Sequence, residues 1–161
     1  MVKLKLFKSY CSSMYGAELW ALNSAYIKTF CVAWRKVRRR ILQLPYNSHS
    51  YFLSILSDTL PVYEEICKRS VKFIAISLVS SCQLVKSIAS YCVLFGRNKS
   101  LLGTNALLCC ERYNWSLSEL VSNPEQFKYL SFNCWQFDNL SAVMESSRTS
   151  PWSRGSSRTD F

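Results

Sequence analysis

An all-α fold, an irregular helical bundle ending in a disordered tail, is what this sequence predicts, and three observations carry that expectation. Only four Gly and four Pro occur in 161 residues, which disfavours an all-β fold with many tight turns and excludes a collagen-like or low-complexity chain. Hydrophobic residues make up 49%, enough for the core of one domain or a piece of one. Between Ser24 and Pro45, the residues Ile27, Phe30, Cys31, Trp34, Val37 and Ile41 recur at spacings of three and four, the period of a helix with one apolar face.

The elements follow in order. Residues 4–22 are apolar and aromatic, and a helix is expected there, kinked at Gly16 because a mid-helix glycine costs about 1 kcal/mol relative to alanine. Ser24 caps the next helix, whose other faces carry Lys28, Arg35, Lys36, Arg38, Arg39 and Arg40, and Pro45 stops it. Residues 48–57 read as a short helix containing Tyr51, Phe52, Ile55 and Leu56. Pro61 suits the first turn of a longer helix running to about Leu78, with Val62, Ile66, Phe73 and Ile76 as its apolar positions. Residues 82–95 offer a further helix with Leu84, Val85, Ile88, Tyr91, Cys92 and Phe95. Segment 71–95 is too broken to span a bilayer: 13 residues separate Lys72 from Lys86, whereas a span takes about 20. A buried helical hairpin is the expectation. Beyond Gly96 the pattern weakens. Ser116-Leu117-Ser118-Glu119 has the form of a capping box opening a short helix, residues 137–144 suggest another, and 146–161 are Ser/Arg-rich with little to bury. The expected organisation is a basic helical region over 1–100, a small helical extension over 101–145 and a disordered tail over 146–161.

Charge is concentrated in the first part. Residues 1–100 hold 15 Lys/Arg against 4 Asp/Glu, while residues 101–161 hold 5 against 6. A basic folded surface points to a polyanionic partner, nucleic acid or an anionic membrane face, and charge alone does not choose. The run Arg35-Lys36-Val37-Arg38-Arg39-Arg40 puts five cations in six residues. It suits phosphate neutralisation, whose strength falls steeply with salt; a solvated face and a nuclear-targeting signal remain open.

Catalytic constellations are missing. Two-metal chemistry needs clustered carboxylates, yet Asp58, Asp138 and Asp160 are scattered and Glu64-Glu65 is the sole adjacent acidic pair. Neighbours on a helix diverge by about 100°, so at most one of these faces any site, and a solvated helix start is expected for both. No Gly-x-Ser-x-Gly elbow or Gly-rich phosphate loop occurs. The single histidine, His49, lies between serines, where capping a helix is expected over base catalysis. Eight irregularly spaced cysteines, with no Cys-x-x-Cys, read as reduced and mostly buried thiols, with no metal site. Lys8, Ser9, Ser12 and Ser13 interrupt any signal-peptide core. The expectations are therefore no enzyme, no cofactor, no small-molecule substrate, and an intracellular setting, nuclear or cytoplasmic rather than secreted.

Two segments carry a family resemblance. Leu6-Phe7-Lys8-Ser9-Tyr10-Cys11-Ser12-Ser13-Met14-Tyr15-Gly16-Ala17-Glu18-Leu19-Trp20, followed by Ala33-Trp34-Arg35-Lys36-Val37-Arg38-Arg39-Arg40-Ile41-Leu42-Gln43-Leu44-Pro45-Tyr46-Asn47-Ser48-His49, resembles the region just after the catalytic palm in reverse transcriptases of LINE-type (non-LTR) retrotransposons. Arg69-Ser70-Val71-Lys72-Phe73 and Arg112-Tyr113-Asn114 are weaker matches, and the resemblance spans about residues 5 to 120. It implies a helical thumb and connection that hold template and primer, as an RNA–DNA hybrid or duplex. Trp34 would then serve helix packing, and Arg35, Lys36, Arg38, Arg39 and Arg40 would lie near nucleic-acid backbone. Tyr10, Tyr15, Gly16 and Trp20 would pack the first segment. The palm motif with its paired aspartates is not in this sequence, which starts after the point where the motif would lie. The implied role is a non-catalytic fragment that binds nucleic-acid backbone. The alternatives are an interaction protein whose apolar helical surface meets a partner subunit, such as a missing palm domain, and a membrane-associated helical protein.

Overall fold

The computed structural model describes residues 2–11, 13–96 and 99–129. The expected helix at 137–144, the tail at 146–161 and Cys134 lie outside the described residues. Among those described, the fold is all-α, with eight helices, one 3-10 turn and no strand. The helices are α1 (Val2–Cys11), α2 (Ala25–Ile41), α3 (Ser50–Ser57), α4 (Val62–Val79), α5 (Gln83–Leu94), α6 (Leu101–Tyr113), α7 (Leu117–Ser122) and α8 (Pro124–Lys128), with the 3-10 turn at Ala17–Leu19 between α1 and α2.

α4 is the centre. It packs against the 3-10 turn and against α2, α5, α6, α7 and α8, and it buries Val62, Ile66, Cys67, Val71, Ile74, Ala75 and Leu78. The expected core positions Phe73 and Ile76 are instead exposed, because α4 meets neighbours on the sides bearing Cys67, Val71 and Ala75.

The expected kinked helix over 4–22 is not continuous. α1 ends at Cys11, and Gly16 adopts φ 74°, a left-handed conformation that suits glycine. Side chains from elsewhere take over the backbone groups of the segment that follows. Arg69 Nη1 donates to the Ser13 carbonyl (2.5 Å), Ser70 Oγ to the Glu18 carbonyl (3.2 Å), and Asn105 Nδ2 to the Trp20 carbonyl (2.8 Å). Asn105 Oδ1 accepts from the Leu22 N–H (3.2 Å). Partners supplied by α4 and α6 make a turn affordable where local sequence favoured helix. Tyr10 and Tyr15, implied as packing residues, are exposed, whereas Trp20 meets Phe30 edge-on at 5.3 Å.

α2, α3 and α4 begin and end close to where the spacing predicts. Ser24 caps α2, its side chain accepting from the Ile27 N–H, and His49 caps α3 through Nδ1, which accepts from the Tyr51 N–H. At α7 the helix begins after Ser116 as expected, but the capping box does not close: Ser116 Oγ bonds Ser118 Oγ instead of a backbone N–H.

The 71–95 hairpin forms as α4 and α5, yet α5 is not buried as expected. Only Ala89 and Val93 are buried, while Leu84, Val85, Ile88, Tyr91 and Phe95 face outward. α6, which the sequence pattern did not reveal, explains the inversion. A Cβ on Gly103 would stand 2.3 Å from the Cys92 carbonyl oxygen and 2.7 Å from that of Gly96. The backbones touch there, and the small side of α5 is the side that fits.

Candidate nucleic-acid interface

The buried line of α2 is Ile27, Cys31, Trp34 and Arg38, an i, i+4, i+7, i+11 stripe at 3.6 residues per turn. Trp34 anchors it, with ring centroids 4.8 Å from Phe7 and 5.4 Å from Phe30. Every other cation on the helix is placed by this line. At about 100° per residue, Lys28, Arg35 and Arg39 fall on one flank, and Lys36 and Arg40 on the side facing away from the core.

The six sequence-predicted residues therefore have different fates. Lys28, Arg35, Lys36 and Arg40 are exposed. Arg39 is half-buried and committed to the loop before α3: its Nε and Nη2 donate to the Ser48 carbonyl (3.1 and 3.0 Å), Nη2 also donates to Ser50 Oγ (3.2 Å), and the guanidinium lies 5.9 Å from the Tyr46 ring centroid. Arg38 is only 6% exposed. Its Nη1 donates to the Leu60 carbonyl (3.3 Å) and its guanidinium lies 5.9 Å from the Trp34 ring centroid. Burial lowers its pKa, with the charge of Glu65 acting in the opposite direction.

α2 contains no acidic residue, and none of the ion pairs among the described residues involves its cations. Among the described residues no carboxylate forms an ion pair with the exposed four. The helix dipole favours cations in the last turn, which accounts for Arg38, Arg39 and Arg40. It gives no account of Lys28, Arg35 or Lys36.

The acidic pair behaves otherwise than expected. Glu65 is partly exposed and pairs with Arg69 at 3.2 Å, but Glu64 is 3% exposed and faces α6. Its carboxylate accepts from Arg112 Nε (3.3 Å), from Arg112 Nη2 and from the Tyr113 hydroxyl. Arg112 also lies 5.0 Å from the Tyr63 ring centroid. Burial by itself would lower the Arg112 pKa; hydrogen bonding and charge from Glu64 outweigh it and hold the guanidinium above its ordinary value. The 100° divergence of neighbours sends one carboxylate outward and the other into the packed centre, where a partner is obligatory. Glu64 serves as a structural cross-link between α4 and α6. Among the described residues no group of His, Cys, Asp or Glu side chains is arranged to hold a metal ion.

The described cysteines are free thiols. Cys31, Cys67, Cys109 and Cys110 are buried, while Cys11 and Cys82 are exposed. Among the described residues no helix is long and apolar enough to cross a membrane.

No protein-family model, curated protein or solved structure shows a significant match to this chain.

Proposed function

We propose that this chain binds the phosphate backbone of a nucleic-acid duplex, an RNA–DNA hybrid or DNA, through the exposed flank of α2, and performs no catalysis of its own. The role is that of a helical piece following the palm of a LINE-type reverse transcriptase, acting inside the cell in nucleus or cytoplasm. The observation that carries this reading is the group Lys28, Arg35, Lys36 and Arg40, four exposed cations on a helix without a single carboxylate. Such a surface gains free energy by releasing condensed counterions from phosphates, and it contacts backbone rather than base edges.

Binding of the full chain to a short RNA–DNA hybrid, measured across a range of salt concentrations, tests it. Replacing Lys28, Arg35, Lys36 and Arg40 with Ala is expected to weaken binding at low salt and to reduce the slope of log K against log salt by about 3 to 4. Lys86→Ala on α5 serves as control and is expected to leave both unchanged. An affinity and slope that survive the fourfold replacement remove α2 as the contact.

A further inference from the structure

Two buried polar side-chain atoms among the described residues lack a hydrogen-bond partner, and they belong to neighbours: Nε1 of Trp34 and Nε of Arg38. Both residues lie on the core line of α2, 8 and 6% exposed, about one helical turn apart. The Arg38 guanidinium is 5.9 Å from the Trp34 ring centroid. A hydrogen bond spans about 3 Å, so groups at that separation can share one acceptor. The Leu60 carbonyl takes Arg38 Nη1 at 3.3 Å, which fixes the guanidinium without engaging Nε. None of the ion pairs among the described residues involves Arg38. Glu65, whose charge acts on it, is bonded to Arg69 instead.

We propose that Trp34 and Arg38 together bind a small monovalent anion, chloride, held between the indole and guanidinium N–H groups. The inference stands independently of nucleic-acid binding. A buried donor without an acceptor and a buried charge without a counter-charge are both costly, and a single anion removes both costs. Water is the competing acceptor, and the surroundings count against it. A water that accepts from both donors still has two protons of its own to place. Trp34 is flanked by the rings of Phe7 and Phe30, 4.8 and 5.4 Å away, which are no conventional acceptors. Water would also leave the guanidinium charge uncompensated. An anion has no proton to place and supplies the missing charge. The number of donors limits its size: two N–H groups suit a monatomic ion, whereas a phosphate or sulfate would keep most of its oxygens unpaired in a buried setting.

Urea denaturation of the full chain in reductant, with gluconate exchanged stepwise for chloride at constant ionic strength, tests the proposal. An ion bound only by the folded state raises stability by mass action. For a dissociation constant of about 10 mM, chloride at about 100 mM is expected to raise the folded-to-unfolded ratio about tenfold. Arg38→Met and Trp34→Phe each remove one donor and keep most of the side-chain volume, and each should abolish the rise. In gluconate alone, Arg38→Met should be at least as stable as wild type, because the unpaired charge is gone. Circular dichroism checks that both variants fold. Should either fail to, broadening of the chloride NMR line by the wild-type chain decides instead, and a response that does not saturate at one ion per molecule overturns the proposal. A wild-type stability that is the same in chloride and in gluconate overturns it too, leaving a buried water as the acceptor. So does a chloride-dependent rise that either variant keeps, which would mean weak ion binding spread over the surface.

Discussion

Burying a guanidinium without a hydrogen-bonded carboxylate costs free energy, and Arg38 does so. Its Nη1 reaches one carbonyl, while its Nε and the neighbouring indole Nε1 of Trp34 are buried without a hydrogen-bond partner among the described residues. The aliphatic stem continues the apolar line of α2, and the charged end is carried along with it. Removing the charge while keeping the stem relieves the cost. Arg38→Met is therefore expected to leave stability unchanged or raise it by about 1 kcal/mol, whereas Arg38→Ala, which also loses packing, should lower it by about 2 kcal/mol. Urea denaturation of the two variants checks the order, and Arg38→Met should retain the salt slope of nucleic-acid binding. Sequence spacing placed Arg38 with the other cations because an arginine counts as polar in any hydropathy pattern. Its burial depends on where the Leu60 carbonyl lies, a tertiary fact. The same holds for Glu64, whose burial depends on Arg112 and Tyr113, 48 and 49 residues away in the chain.

Elements with a strong period and a cap were legible. α2 shows both, and Ser24, His49 and Pro61 mark starts that the structure keeps. α6 was not legible because its buried residues include Gly103 and Asn105, a glycine and a polar residue that read as interruptions. Each has a structural use: Asn105 ties α6 to the segment before α2, and Gly103 lets α5 approach. Gly103→Ala would put a methyl group against the Cys92 and Gly96 backbone, where no flexible side chain can yield. The expected cost is about 2 kcal/mol, read as a lowered urea midpoint. A variant as stable as wild type would mean that α5 and α6 lie further apart. The orientation of α5 was equally hidden, since its period fixes which residues share a face but not whether that face turns inward.

At the scale of the molecule, α4 and α6 enclose several groups that must stay protonated. Burial, with a smaller contribution from the Cys67 thiol, pushes Tyr63 up to about 12. Burial likewise pushes Cys110 up to about 11, with Glu111 adding to it, and raises Tyr113 well above the ordinary phenol range, with Cys67 and Glu64 adding to it. All three shifts have the same sign. The folded state holds these protons more tightly than the unfolded chain, so their contribution is complete below the unfolded values, about 8.5 for thiols and 10 for phenols. It is lost as pH rises through the folded values. Urea midpoints in reductant should fall between neutral pH and about pH 11; a flat profile over that window would contradict the burial of these groups.

By itself the sequence determined the helical class, the basic character of the first hundred residues and the boundaries of the capped, strongly periodic helices. These depend on local spacing, capping chemistry and composition, which act within a few turns of chain. Tertiary structure decided which side of each helix is covered: it buried Arg38 and Glu64, left Lys28, Arg35, Lys36 and Arg40 in solvent, broke the first segment at a glycine turn and faced the large residues of α5 outward. The burial of Arg38 and Glu64 and the turn before α2 rest on partners 22 to 85 residues distant, and contacts at that range leave no period in the sequence.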